Sequence, residues 1–94
     1  MIKGVIFDRD GTLINYVPYL SNINDVALLP GVLDACHQLK DAGIQLFIVT
    51  NQSGIGRGFF SDDEYQVVAT YIERLFESHG IAINKTYYCP YHPD

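Results

Sequence analysis

Cations and cysteines are scarce in this sequence, and long apolar runs are missing altogether. Six Lys and Arg stand against eleven Asp and Glu, a formal net charge of −5, so the long-range field opposes a nucleic-acid backbone or an anionic membrane. Any anionic ligand has to be bound locally, by a few placed donors or by a metal. No stretch approaches the roughly 18 consecutive apolar residues of a membrane span. Asp8, Arg9 and Asp10 fall where a signal peptide needs its apolar core. The expectation is a cytoplasmic chain with no nucleic-acid and no membrane partner. Cys36 and Cys89 are too few for a disulfide framework, which leaves them as thiols or metal ligands.

What is present suffices for one folded domain over residues 1–94. The chain is 48% hydrophobic and 18% charged, on the globular side of the balance that separates folded from disordered sequences. Ile2 to Phe7 is a short, mostly apolar, β-branched run that stops at Asp8, as a buried parallel strand does. Residues 15–29 have neither helical nor alternating period and read as a long connection, a kind of loop that is usually functional or disordered. Pro30-Gly31 opens a helix with Val32, Cys36 and Leu39 at three- and four-residue spacings, and Gly43 closes it. Ile44 to Val49 is a second strand, followed by Thr50-Asn51 and a segment, Gly54 to Gly58, that reads as a flexible glycine-rich loop. Ser61 and Glu64 have the spacing of a capping box. The helix they begin places Tyr65, Val68, Ala69, Ile72, Leu75 and Phe76 on one face and ends at Gly80. Ile83 to Tyr88 is a third, weaker strand. Strands alternating with helices predict βαβ units, a parallel sheet and right-handed crossovers.

Ligands of an open parallel sheet bind beyond the carboxyl ends of the strands, and the polar residues of this chain fall there. The first strand ends in Asp8-Arg9-Asp10-Gly11-Thr12, the second in Thr50-Asn51-Gln52-Ser53-Gly54. Two carboxylates two residues apart along an extended chain lie on the same side, about 6 to 7 Å apart. Close like charges call for a cation between them or a proton on one. The pair suits Mg²⁺, which prefers hard oxygen ligands. It also suits a division of labour between a nucleophile and a general acid and base. The same Asp-x-Asp-Gly pattern is equally that of a turn. Arg57 can clamp a phosphate bidentately or lie solvated at the surface. Cys36, on the apolar stripe of its helix, reads as a small buried hydrophobe. Cys89 and His92, three apart in a proline-rich segment, are two of the four ligands that a structural Zn²⁺ requires.

Asp8-Arg9-Asp10-Gly11-Thr12-Leu13-Ile14 together with Thr50-Asn51-Gln52-Ser53-Gly54 resembles the haloacid dehalogenase-like phosphatase superfamily. Asn51 to Gly58 and Tyr87-Tyr88-Cys89-Pro90-Tyr91-His92-Pro93 narrow the resemblance to the D-glycero-D-manno-heptose 1,7-bisphosphate phosphatases, with the histidinol-phosphate phosphatases as near relatives. The resemblance implies a Rossmann-like parallel α/β sheet, three strands and two helices of it present here, as an incomplete domain without a large cap. It implies a Mg²⁺-dependent phosphatase acting on a phosphorylated sugar, heptose 1,7-bisphosphate at its 7-phosphate, through an aspartyl-phosphate. Histidinol phosphate is the alternative substrate. Asp8 is then nucleophile and Mg²⁺ ligand. Asp10 is acid and base, with its backbone carbonyl on the metal. Thr50 and Asn51 hold the phosphoryl oxygens, and Ser53 and Arg57 contact the substrate.

The same resemblance implies segments that do not occur in these 94 residues: a Cys-x-Cys pair that completes the zinc site, a phosphoryl-steadying Lys, and a Gly-Asp-x-x-x-Asp segment carrying a further Mg²⁺ ligand. In many relatives the zinc-ligating His stands where this chain has Tyr91. The expectation is an N-terminal portion of a longer, monomeric enzyme, with the first strand on an open sheet edge that favours self-association. A non-catalytic fragment is the competing reading.

Overall fold

The computed structural model describes residues 4–91. Its frame is a sheet of three parallel strands, β1 (Gly4–Asp8), β2 (Gln45–Asn51) and β3 (Ile83–Cys89), in the order β1-β2-β3. Helix α1 (Val32–Asp41) joins the first two strands. A one-turn helix α2 (Ser53–Gly56) and the long α3 (Asp62–Ser78) join the second to the third. With neighbours following in chain order, two right-handed crossovers put α1 and α3 on the same face of the sheet. One core accordingly contains Cys36 of α1, Leu46 and Ile48 of β2, and Val68, Ile72 and Phe76 of α3.

Each element follows from local sequence. In β2, Leu46, Ile48 and Thr50 are buried on the helix-covered face. The register pairs Ile6 with Phe47 and Val49 with Tyr87, so these four share the opposite face. There Ile6, Val49 and Tyr87 are 68%, 48% and 49% exposed. In α3 the capping box forms as the sequence predicts: Glu64 N donates to Ser61 Oγ at 3.0 Å and Ser61 N to Glu64 Oε1 at 2.8 Å. Asp62, Asp63 and Glu64 occupy the first turn, where the helix dipole favours negative charge. The predicted apolar stripe is the buried face, from Tyr65 to Phe76.

Two expectations need correction. The segment after β2 is no flexible loop: Ser53–Gly56 is a helical turn, anchored where Gln52 N donates to Cys89 O and Gly56 N to Pro90 O, both at 2.8 Å. Among the described residues there are three α-helices where two were expected. Residues 15–29 are irregular but built. Asn15 acts as a backbone substitute, its Nδ2 donating to Asp25 O at 2.9 Å and its Oδ1 accepting from Ala27 N at 2.8 Å. A 3₁₀ turn (Ile23–Asp25) follows, and Leu20 is buried in the core. The open edge of β1 is as expected, although Val5 and Phe7 are half-buried.

The two thiols differ sharply. Cys36 is 1% exposed, and burial pushes its thiol up from the ordinary value, while Cys89 is exposed. Since the thiolate is the reacting species, an aromatic disulfide reagent should titrate one thiol rapidly in native buffer and the second only after unfolding. Two thiols reacting at one rate would contradict this packing.

Candidate active site

β1 and β2 end side by side, and a cleft of about 340 Å³ opens at their carboxyl ends. Asp8, Arg9 and Asp10 line it from β1, Thr50, Asn51, Gln52 and Ser53 from β2 and α2, and Tyr16, Tyr19 and Leu20 from the long connection. The expected residues Asp8, Asp10, Thr50, Asn51 and Ser53 are thus brought together. Arg57 is not among the lining residues: it caps the C-terminal end of α2 and is exposed.

The turn after β1 is built around one carbonyl. Arg9 O accepts from Thr12, Leu13 and Ile14 N at 3.3, 2.9 and 3.2 Å. Gly11 takes φ +81°, a left-handed conformation that glycine adopts without strain. The chain thereby folds back immediately past Asp10, leaving both carboxylates at the cleft.

The two carboxylates are held very differently. Asp8, exposed at the end of its strand, accepts only from Arg9 N, at 3.1 Å, among the hydrogen bonds of the described residues. It has lone pairs to spare. Asp10 is almost fully engaged. Its Oδ1 accepts from Arg9 Nε at 3.3 Å and Nη2 at 3.1 Å, and its Oδ2 from Arg9 Nε at 3.3 Å, Thr50 Oγ1 at 3.2 Å and Gln52 Nε2 at 3.3 Å. Gln52 Nε2 also donates to Thr50 Oγ1 at 2.9 Å. Chemically the site offers one free carboxylate beside a second that is fixed in direction.

Arg9 and Gln52 carry no sequence signature of their own. Arg9 is 1% exposed and Gln52 5%. Arg9 occupies the variable place of Asp-x-Asp, where nothing local predicts burial. Its guanidinium lies 5.8 Å from the ring centroid of Tyr65 on α3, and that contact is tertiary.

The oxygen donors fit Mg²⁺, a cation that keeps several waters and takes one or two protein ligands. The Asp8 carboxylate is free to ligate, and the Asp10 carbonyl accepts no backbone hydrogen bond among the described residues. Nothing comparable supports zinc. Cys89 is exposed, its carbonyl serves to anchor α2, and no three His, Cys, Asp or Glu side chains gather among the described residues. His92 lies outside the described residues.

Tyr65, which backs this site, is 2% exposed, and burial pushes its phenol up to about 12 while the Arg9 charge pulls the other way. A pKa raised on folding contributes stability that is complete below the unfolded value near 10 and lost as pH rises through about 12. The urea midpoint should therefore fall between pH about 10 and 12, and fall less in Tyr65→Phe. Parallel falls in both proteins would contradict this environment for Tyr65.

Comparison with known proteins agrees with this architecture. Residues 5–87 match the haloacid dehalogenase-like hydrolase family. The chain is 42% identical over 93 residues to a D-glycero-β-D-manno-heptose-1,7-bisphosphate 7-phosphatase of Haemophilus ducreyi, covering 98% of this chain and 51% of that protein. It is 36% identical over 93 residues to the same-named protein of Yersinia pestis, covering 99% and 50%. Among solved structures, the D,D-heptose 1,7-bisphosphate phosphatase of B. bronchiseptica, complexed with magnesium and phosphate, superposes with a TM-score of 0.89 at 29% identity over 99% of this chain and 52% of that one. The D,D-heptose 1,7-bisphosphate phosphatase of Burkholderia thailandensis gives 0.70 at 34% identity, covering 93% and 52%. The chain spans about half the length of these relatives. On the match over residues 5–87, with its parallel sheet and paired strand-end carboxylates, the chain belongs to the haloacid dehalogenase-like hydrolase family.

Proposed function

We propose that these residues form the nucleophile-bearing part of a Mg²⁺-dependent sugar-phosphate phosphatase, with D-glycero-D-manno-heptose 1,7-bisphosphate as substrate and its 7-phosphate as the group removed. The observation that carries the reading is the contrast between a free Asp8 and a tethered Asp10 across one cleft. A nucleophile needs an unencumbered oxygen, whereas an acid and base needs a fixed aim. The names of the relatives support the substrate, and magnesium and phosphate in one of them support the cofactor.

In this reading Asp8 attacks phosphorus, and the bond to the leaving oxygen breaks as Asp10 gives that oxygen its proton. Asp10, now a carboxylate, takes a proton from the water that attacks the aspartyl-phosphate, and phosphate leaves with Asp8 restored. Mg²⁺, held by the Asp8 carboxylate and the Asp10 carbonyl, supplies charge neutralisation for the transferring group. Thr50 and Asn51 orient the phosphoryl oxygens and Ser53 contacts the substrate from α2. Arg57, outside the cleft lining, is kept as a contact to the distal end of a bisphosphate.

The test is Mg²⁺-dependent phosphate release by this chain from heptose 1,7-bisphosphate and from histidinol phosphate. Preference for the former supports the proposal, and preference for the latter moves the substrate to the related activity. A folded chain that releases phosphate from neither is a non-catalytic portion of a longer enzyme.

The apolar face around Ile6, Val49 and Tyr87, together with the open edge of β1, also supports self-association of this chain. Sedimentation should give an average mass that rises with protein concentration and falls back on Ile6→Lys. A monomer at all concentrations would contradict this.

A further inference from the structure

The most deeply buried charge of the site has no task in the mechanism proposed for Asp8 and Asp10. Arg9 is 1% exposed, and its side chain meets the Asp10 side chain, itself 20% exposed, at 3.1 Å. A charge so desolvated is strongly unfavourable unless well paired, and this one is only partly paired: Nη1 has no hydrogen-bond partner among the described residues. Packing alone would be served better by Leu or Met. The guanidinium is backed by one aromatic ring. It lies over Tyr65, whose ring stacks on Tyr88 at 4.1 Å between centroids, and the Tyr88 hydroxyl donates to Asp62 while accepting from Gln66 at 3.0 Å. A chain of contacts thus runs from the first turn of α3 to the Asp10 carboxylate just past β1.

The geometry is specific to Arg. Nη2 and Nε donate to Asp10 Oδ1 at 3.1 and 3.3 Å, and Nε also to Oδ2 at 3.3 Å, so one edge of the guanidinium touches both carboxylate oxygens. A planar fork fixes the plane of its partner, which the point charge of a Lys cannot do. Thr50 and Gln52 approach only Oδ2, so among the described residues Arg9 alone holds Oδ1.

We infer that Arg9 is a positioning residue, whose buried guanidinium aims the Asp10 carboxyl group at the leaving oxygen. The inference rests on the assignment of Asp10 as acid and base. Its signature is dependence on the leaving group. A sugar alkoxide must be protonated as it departs, whereas p-nitrophenolate leaves without a proton. General acid catalysis is worth 10²–10⁴-fold, so misdirecting the acid should cost kcat about 10- to 100-fold on the sugar phosphate.

The experiment compares Arg9→Lys, Arg9→Met and Asp10→Asn on heptose 1,7-bisphosphate and on p-nitrophenyl phosphate. The Arg9 variants should lose kcat on the sugar phosphate with KM little changed, and lose much less on p-nitrophenyl phosphate. Asp10→Asn should show the same contrast more strongly. If Asp10→Asn shows the contrast and the Arg9 variants lose activity equally on both substrates, the inference is overturned and the role of Asp10 stands. If Asp10→Asn shows no contrast, the acid assignment itself fails, and the inference with it. A second measurement needs neither turnover nor a folded Arg9 variant. In ¹⁵N spectra of the unmodified chain, the Arg9 Nε–H should exchange with solvent far more slowly than those of Arg57 and Arg74, and should shift in Asp10→Asn. Exchange as fast as at the other two arginines overturns the inference.

Discussion

Asp8→Asn should lower Mg²⁺-dependent phosphate release by about 10⁴-fold or more, a barrier increase of roughly 5 kcal/mol. Asn has nearly the shape of Asp, and the one hydrogen bond that the side chain accepts, from Arg9 N, can still be made to the amide oxygen. Folding should therefore be preserved. What is removed is a charged oxygen with free lone pairs, for which the amide oxygen is a poor substitute as nucleophile and as metal ligand. The neighbouring carboxylate cannot take over, because Arg9, Thr50 and Gln52 already occupy it. Steady-state phosphate release checks this, with circular dichroism as the control for folding. A variant within tenfold of the original rate would mean that the nucleophile lies elsewhere.

Gly54→Ala is expected to have the largest effect on stability. A Cβ at this position would stand 2.4 Å from Phe60 Cε1 and 2.8 Å from Tyr19 Cδ1, closer than carbon atoms approach. The Phe60 ring cannot yield easily. Phe60 is 5% exposed and packs with Tyr65 and Ala69. The Tyr19 ring meets Phe59 edge to face at 4.5 Å, and its backbone already takes φ 54°, rare outside glycine. Overpacking of this kind costs about 1–3 kcal/mol, a large share of the stability of a small domain. Because Gly54 and Tyr19 both line the cleft, ligand affinity should fall as well. Urea unfolding and phosphate binding measure the two effects, and a variant with unchanged midpoint would show that the α2 turn is looser than described.

The parts of this architecture that were legible in the sequence are those fixed by local chemistry. The capping box at Ser61 and Glu64 needs only four residues, and the stripe from Tyr65 to Phe76 needs only helical period. The meeting of Asp8 and Asp10 with Thr50 and Asn51 needed one further rule, that parallel strands bring their carboxyl ends to one edge. Features fixed from a distance were not legible. Helix α2 contains two glycines and would not form alone. The carbonyls of Cys89 and Pro90, at the far end of the chain, hold it in place. This also gives the Cys-Pro dipeptide a structural part that its zinc-like spacing did not suggest. The connection over residues 15–29 has no period because Asn15 side-chain bonds replace a regular ladder. The burial of Arg9 was illegible for a related reason. Its burial depends on Tyr65, which α3 brings up from elsewhere in the chain.

The central claim, that Asp8 is the phosphoryl acceptor, is tested most directly without turnover. Beryllofluoride with Mg²⁺ mimics a phosphoryl group on a carboxylate, and ¹⁹F spectra report its binding. The chain should give bound fluorine signals that require Mg²⁺, vanish in Asp8→Asn and persist in Asp10→Asn, since binding needs no acid. Signals that survive in Asp8→Asn, or that never arise in the folded chain, would contradict the assignment.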